Sequence, residues 1–334
     1  MDSASWKAYG KIDPELEALI PHLPPSKGIG DYDDVPSLRE GIMEGFKKLI
    51  EAGIVKLPDL SSVKKDIHIP ARDGHQIRLA HYRKDGAEDG PIIVLFHGGG
   101  FAFGWPESFE EHVVGMLELG AVVVAVQYRL ASENPFPAAP NDAIDSVHWI
   151  AENAAQLGAD PTKGFIVGGS SAGANLAAVV SHEAVDSKLS PPLTGVWLNI
   201  PLLVHRDAVP DKYKQHYNSY EDMKDAMILD RKALDFIYKE YNADPSSPLM
   251  SPLIWPTGHK GQPATYFQIC GQDPLRDEGL IYEHILREEC GVPTKVQLYP
   301  GIPHGGLSFL PMLSHAKQSP ADIKEGITWL LDQK

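Results

Sequence analysis

At 334 residues the chain can bury a large core, and it exceeds the usual single-domain length without requiring two separate domains. A formal net charge of -15, from 45 acidic against 30 basic residues, argues against nucleic acid or an anionic membrane surface as a partner. Two cysteines, Cys270 and Cys290, are too few for a disulfide framework and lack ligand-spaced neighbours, so both are expected as reduced, packed thiols.

Met1 to Leu23 has no continuous apolar run behind a basic start, so no secretory signal is expected. No run reaches membrane-spanning length, and Asp332-Gln333-Lys334 is not a peroxisomal address. A cytoplasmic protein is the expectation. Residues 1–60 mix helical patches (Pro14 to Leu23, Leu38 to Ala52) with the break Pro24-Pro25 and the acidic run Asp31 to Asp34. Leu38, Ile42, Phe46, Leu49 and Ile50 fall on one helical stripe that must cover something. This segment is expected as an N-terminal helical cap, with a peripheral strut as the alternative.

From Val63 the pattern alternates with period two, through Val63 to Ala71, a turn at Asp73-Gly74 and Gln76 to Arg83, as in an antiparallel hairpin. Unbroken apolar runs follow at Pro91 to Phe96 and Ala121 to Val126, expected of strands buried on both faces. Further strands are expected at Lys163 to Val167, Gly195 to Ile200, Ala264 to Cys270 and Thr294 to Tyr299. Helical spacing marks Phe109 to Leu119, Ala138 to Leu157, Ala172 to Val185, Glu278 to Glu289 and Pro320 to Leu331. Such alternation predicts a mostly parallel sheet of eight strands wrapped by helices. It lapses between Pro201 and Pro263, where tyrosines and methionines recur at helical spacing; residues 201–250 are expected as a helical cap insertion over the ligand-binding edge of the sheet. Residues 61–200 and 251–334 would then be the two parts of the core.

Two motifs sit at strand ends. Gly169-Ser170-Ser171-Ala172-Gly173 joins a strand to a helix in the G-x-S-x-G pattern, in which a strained turn presents the serine as a nucleophile and the glycines let strand and helix approach. His97-Gly98-Gly99-Gly100 follows Pro91 to Phe96 and matches the oxyanion-loop signature of lipases and esterases. Gly99, Gly100 and Ala172 are the expected N–H donors to a tetrahedral oxyanion. His97 is expected to order the loop. Phe101, Phe103 and Trp105 are candidates to line the pocket, with core packing the alternative for each.

A serine nucleophile needs a base, and the base needs an orienting acid. Asp273 stands just past the strand Ala264 to Cys270, with Asp277 its rival and Glu278 beside it in the first turn of the next helix. His304 follows the last strand in a loop stiffened by Pro303, Gly305 and Gly306. The order serine, acid, histidine suits this chemistry. No H-E-x-x-H or comparable ligand spacing appears, so neither metal nor cofactor is expected.

Taken together, His97 to Gly100, Tyr128-Arg129-Leu130-Ala131 with Glu133, Pro137-Ala138-Ala139, Gly169 to Gly173, Asp273 to Glu278 and Pro303-His304-Gly305 resemble the hormone-sensitive-lipase-like (family IV) branch of α/β-hydrolase esterases, over about residues 63–331. The resemblance implies the α/β-hydrolase fold, a cap from the N-terminal segment and the insertion, and carboxylic-ester hydrolysis by Ser171, His304 and Asp273 without a metal. Ser170 and Ser132 stand where members often carry Asp or Thr and where many carry Pro, which bears on substrate preference. Plant gibberellin receptors in the family lack the catalytic histidine; His304 is present here, which favours an enzyme over a receptor. An acyltransferase, or a lactone or acetate-ester hydrolase of a biosynthetic pathway, would use the same residues. The expected partner is a small-molecule ester, and a homodimer is kept as a candidate assembly.

Overall fold

The computed structural model describes every residue except Asp2, Pro25, Ser26 and Lys334, so half of the Pro24-Pro25 break and the end of the closing tripeptide lie outside it. Strands β1 (Lys64–Pro70) and β2 (Gln76–Tyr82) form the antiparallel hairpin. They are followed by β3 (Ile92–Phe96), β4 (Val122–Gln127), β5 (Phe165–Ser170), β6 (Gly195–Asn199), β7 (Ala264–Gln272) and β8 (Thr294–Pro303). The eight strands make one sheet in the order β1-β2-β4-β3-β5-β6-β7-β8. β2 meets β4 antiparallel, and every pairing from β4 to β8 is parallel. The crossover direction reverses between β3 and β5, and such a switch point opens a crevice at the carboxyl ends of the strands.

Helices α1 (Ser3–Tyr9), α2 (Pro14–Leu19) and α3 (Val35–Glu51) precede the sheet. Asp13 and Asp34 cap α2 and α3 by accepting first-turn N–H groups, from Glu15 and Ser37 at 2.8 Å each. α4 (Glu110–Glu118), α5 (Ala138–Asn153) and α6 (Ala172–Ser187) are crossovers. After β6 come α7 (Asp211–Lys214), α8 (Ser219–Asp222) and α9 (Arg231–Tyr241). α10 (Arg276–His284), α11 (Gly306–Phe309) and α12 (Ser314–Leu331) complete the chain.

The unbroken apolar run of β3 reflects two faces with two cores. Ile92, Val94 and Phe96 pack with α5 and α6, whereas Ile93 and Leu95 pack with Val113 of α4 and Ile327 of α12. The start of the last helix departs furthest from expectation. α12 begins at Ser314, six residues before Pro320, which lies inside it. The Glu15 carboxylate accounts for the early start, since it accepts the Ser314 N–H at 2.8 Å and its hydroxyl at 3.2 Å. A cap supplied from the other end of the chain leaves no local sign in the sequence.

Candidate active site

β5 ends at Ser170 and α6 begins at Ala172, leaving Ser171 in the turn with φ 54° and ψ -117°. That conformation costs a residue with a Cβ about 1–3 kcal/mol and persists only where its surroundings hold it. Here the Ser171 N–H donates to the Asn199 carbonyl at 2.8 Å, and the Ser171 carbonyl accepts the Asn175 N–H at 3.1 Å. The flanking glycines are required sterically: a Cβ on Gly173 would lie 1.9 Å from the Phe96 carbonyl oxygen, and one on Gly169 would lie 2.4 Å from the Gly173 carbonyl. The motif thus fixes a serine where its hydroxyl stands clear of both elements.

β8 delivers His304 one residue beyond its end, and β7 delivers Asp273. His304 Nε2 lies 2.8 Å from Ser171 Oγ, and His304 Nδ1 lies 2.7 Å from Asp273 Oδ2. The second carboxylate oxygen, Asp273 Oδ1, accepts the Leu275 N–H at 2.8 Å. An ionised carboxylate only accepts, so Nδ1 carries the imidazole proton and Nε2 presents its lone pair to the serine O–H. His304 is 7% exposed and Asp273 1%, so little water competes for these bonds.

Past β3, Gly99 and Gly100 adopt φ of 120° and 58°, values that favour glycine. The Gly99 carbonyl accepts the Ala102 and Phe103 N–H groups at 3.0 Å each, while no backbone carbonyl among the described residues accepts from the N–H of Gly99 or Gly100. His97 holds the base of this loop. Its buried ring stacks on Tyr128 at 4.2 Å, its Nδ1 lies 2.9 Å from the Gly98 carbonyl oxygen, and the Tyr128 hydroxyl donates to the His97 carbonyl at 2.7 Å. Burial pulls the His97 imidazole down to about 4, so it is neutral and Nδ1–H is the donor. The Ala172 N–H opens α6, where the first amides have no intrahelical acceptor.

A sequence model of the alpha/beta hydrolase fold family matches residues 93–308. An AB hydrolase superfamily protein of Schizosaccharomyces pombe is 39% identical, over 97% of this chain and 95% of its own length. Versiconal hemiacetal acetate esterase of Dothistroma septosporum is 32% identical, over 91% of this chain and 90% of its own. Among solved structures, vibralactone cyclase superposes with a TM-score of 0.87 at 30% identity, covering 97% of this chain and 96% of that one. This chain belongs to the α/β-hydrolase family. It is a serine carboxylesterase of the hormone-sensitive-lipase-like branch.

The esterase separates the two acids that compete in sequence. Asp277 turns away from the imidazole: its Oδ2 accepts the N–H groups of Asn218 and Ser219 at 2.8 and 2.7 Å, and its Oδ1 accepts Arg276 Nε–H at 2.8 Å. It therefore fastens the insertion to the β7–α10 turn. The three aromatics after the glycine loop also part company. Phe101 is wholly buried and stacks on Tyr241 at 3.9 Å with planes 6° apart, so of its two expected roles the contacts support core packing rather than lining of the pocket. Phe103 and Trp105 are half-buried, Trp105 lying edge-on to Phe46 of α3 at 5.5 Å.

Several residues at the site carry no motif signal. Asn175, one helical turn past Ser171 and buried, donates to the Leu202 and Met250 carbonyls at 3.0 and 2.8 Å. The amide of Asn199 donates to Ser170 Oγ at 3.2 Å. Arg39 of α3 donates to the Ala102 and Ala131 carbonyls at 2.7 and 2.5 Å and forks onto Glu133 at 2.6 and 2.8 Å. A charge inside the apolar stripe of α3 was the one available hint of that last contact.

Proposed function

We propose that this esterase hydrolyses short to medium acyl esters, or esters of small metabolites, by two acyl transfers through Ser171. The observation that carries the reading is the His304 imidazole held at hydrogen-bond distance from both Ser171 Oγ and Asp273 Oδ2. Ser171 Oγ attacks the ester carbonyl carbon as its proton passes to His304 Nε2. The carbonyl oxygen becomes an oxyanion held by the N–H groups of Gly99, Gly100 and Ala172. Asp273 stabilises the imidazolium, which then protonates the departing alcohol. Water, deprotonated by the same imidazole, repeats the sequence on the acyl-enzyme and releases the acid.

A cap from segments 1–60 and 201–250 sets the size of the substrate in this reading. Arg39 ties α3 to the chain just past the glycine loop. Ile237 of α9 reaches within 2.6 Å of where a Gly100 Cβ would stand, and Ile228 comes within 4 Å of the corresponding point on Gly305, beside His304. Lys232 pairs with Asp31, joining the two segments. Acetate esters of small metabolites are the second reading, favoured by the likeness to versiconal hemiacetal acetate esterase.

The test is turnover of nitrophenyl acetate through nitrophenyl decanoate, with S171A alongside and a fluorophosphonate as label. Hydrolysis falling off beyond medium chains, its loss in S171A and a single label on Ser171 are expected. Undiminished turnover in S171A would overturn the reading.

A further inference from the structure

A cluster of polar groups lies on the elements that carry and follow the triad and has no part in it. Tyr217, between α7 and α8, places its hydroxyl 3.3 Å from Glu278 Oε2 in the first turn of α10. Glu278 Oε1 accepts the N–H groups of Leu203 and Val204 at 2.5 and 3.4 Å, on the segment leaving β6. Tyr238 of α9 lies with its ring 4.4 Å from that of His205. The cluster is bracketed by the site: Ile237, the neighbour of Tyr238, presses on Gly100, and Glu278 follows Asp273 by five residues on one turn.

Glu278 is wholly buried, whereas Tyr217 and Tyr238 are half-buried. Their hydroxyls are nonetheless deep. Burial, then the nearby Glu278, holds both phenols well above the usual tyrosine range, and burial raises the Glu278 carboxyl well above that of an ordinary glutamate. Open surface so enclosed by protein is the wall of a recess. No described side chain hydrogen-bonds the Tyr238 hydroxyl.

Counting hydrogens shows what this wall offers. The Tyr217 O–H is spent on Glu278 Oε2, but its oxygen can still accept, and the Tyr238 hydroxyl has a hydrogen to donate. Arg206, whose charge acts on Tyr238, is engaged by Tyr220 and by Asp235 at 2.7 Å, and burial keeps His205 on the neutral side.

We propose that Tyr217, Tyr238 and Glu278 form a polar subsite of the ester pocket that recognises an uncharged oxygen function, a hydroxyl, phenol or ketone, on the substrate. The proposal rests on the esterase reading above and narrows it from plain hydrocarbon esters to esters of oxygenated small molecules. A hydrocarbon group there strands hydroxyls that water can no longer reach, and a site built to hydrogen-bond an oxygen discriminates strongly against analogues lacking it. A charged group fares worse, because no counter-charge faces it.

Two matched pairs test this on either side of the ester bond: nitrophenyl 4-oxopentanoate against nitrophenyl pentanoate, and 2-(4-hydroxyphenyl)ethyl acetate against 2-phenylethyl acetate. The wild type is expected to favour the oxygenated member of at least one pair by about tenfold or more in kcat/KM. Y217F and Y238F should each shrink that ratio about threefold or more, whereas E278Q, which keeps the shape and an oxygen to accept the Leu203 and Val204 N–H groups, should preserve it. A purely structural role would slow both members equally and leave the ratio unmoved. A wild-type ratio near one in both pairs, or an unchanged ratio in both phenylalanine variants, would overturn the subsite. Failure of the folded wild type to hydrolyse any of the four esters would overturn the esterase reading beneath it.

Discussion

Asp273 and His304 meet through a single 2.7 Å hydrogen bond, with the other carboxylate oxygen anchored on the Leu275 N–H. Replacing that carboxylate by an amide lets the side chain donate where it must accept, and the imidazole turns to the wrong tautomer. For D273N a fall in kcat on the order of 10^4 is expected, the size seen for the same change in a serine protease. D277N, which disturbs the anchorage of Asn218 and Ser219 and the buried pair with Arg276, should cost far more in thermal stability than in kcat. Steady-state rates beside melting curves separate the two; an equal collapse of kcat in a fully folded D277N would contradict the assignment.

Gly173 has no room for a methyl group against the Phe96 carbonyl. G173A must therefore push α6 off β3 and carry Ser171 with it. A loss of about 3 kcal/mol or more is expected, at the upper end of overpacking costs, along with loss of fluorophosphonate labelling. Denaturation by urea measures the first and mass spectrometry the second. Normal stability in G173A would mean that strand and helix are less closely packed than described.

His97 makes stability depend on pH. Its folded value, near 4, lies below the ordinary histidine value of about 6.5, so between these limits the unfolded chain binds the proton and the native one does not. Stability should therefore fall as pH drops from about 6.5 towards 4, by roughly 3 kcal/mol from this residue when the window is crossed. The check is urea denaturation at pH 7, 5.5 and 4.5, compared with H97N. An identical slope in the variant would remove His97 as a source.

Arg39 joins α3 to the carbonyls of Ala102 and Ala131 and to Glu133. The ion pair is partly exposed, so R39M should cost about 1 kcal/mol of stability or less. Its effect on catalysis should be larger, about tenfold in kcat/KM, because the chain following the oxyanion donors loses its brace and small misplacements there are expensive. Nitrophenyl butanoate kinetics would show it, and wild-type kcat/KM in R39M would refute the bracing role.

Much of this was legible before any coordinates. β3 and β4 announce themselves because strands covered on both sides leave unbroken apolar runs, and the turns after β3 and β5 do so because only small residues fit there. What stayed hidden depends on contacts between distant residues. Nothing near Ser314 shows that Glu15 will cap it, and nothing near Phe101 shows that Tyr241 awaits its ring. The choice between Asp273 and Asp277 turns on which way each carboxylate faces at a strand end, a matter of four residues. Glu278 reads as an ordinary first-turn helix acid until β6 and the insertion close over it.

Ser171 and the glycine loop hang from β5 and β3, adjacent strands at the centre of the sheet, whereas Tyr217 and Tyr238 belong to a stretch threaded between β6 and β7. In the proposed subsite the two tyrosines thus sit on a different piece of chain from the nucleophile, while Glu278 follows Asp273 on the core. Grafting residues 201–250 from a relative should transplant ester preference while leaving the bond-breaking apparatus as it was, so diversification of this lineage can proceed by exchanging roofs over one unchanging hearth.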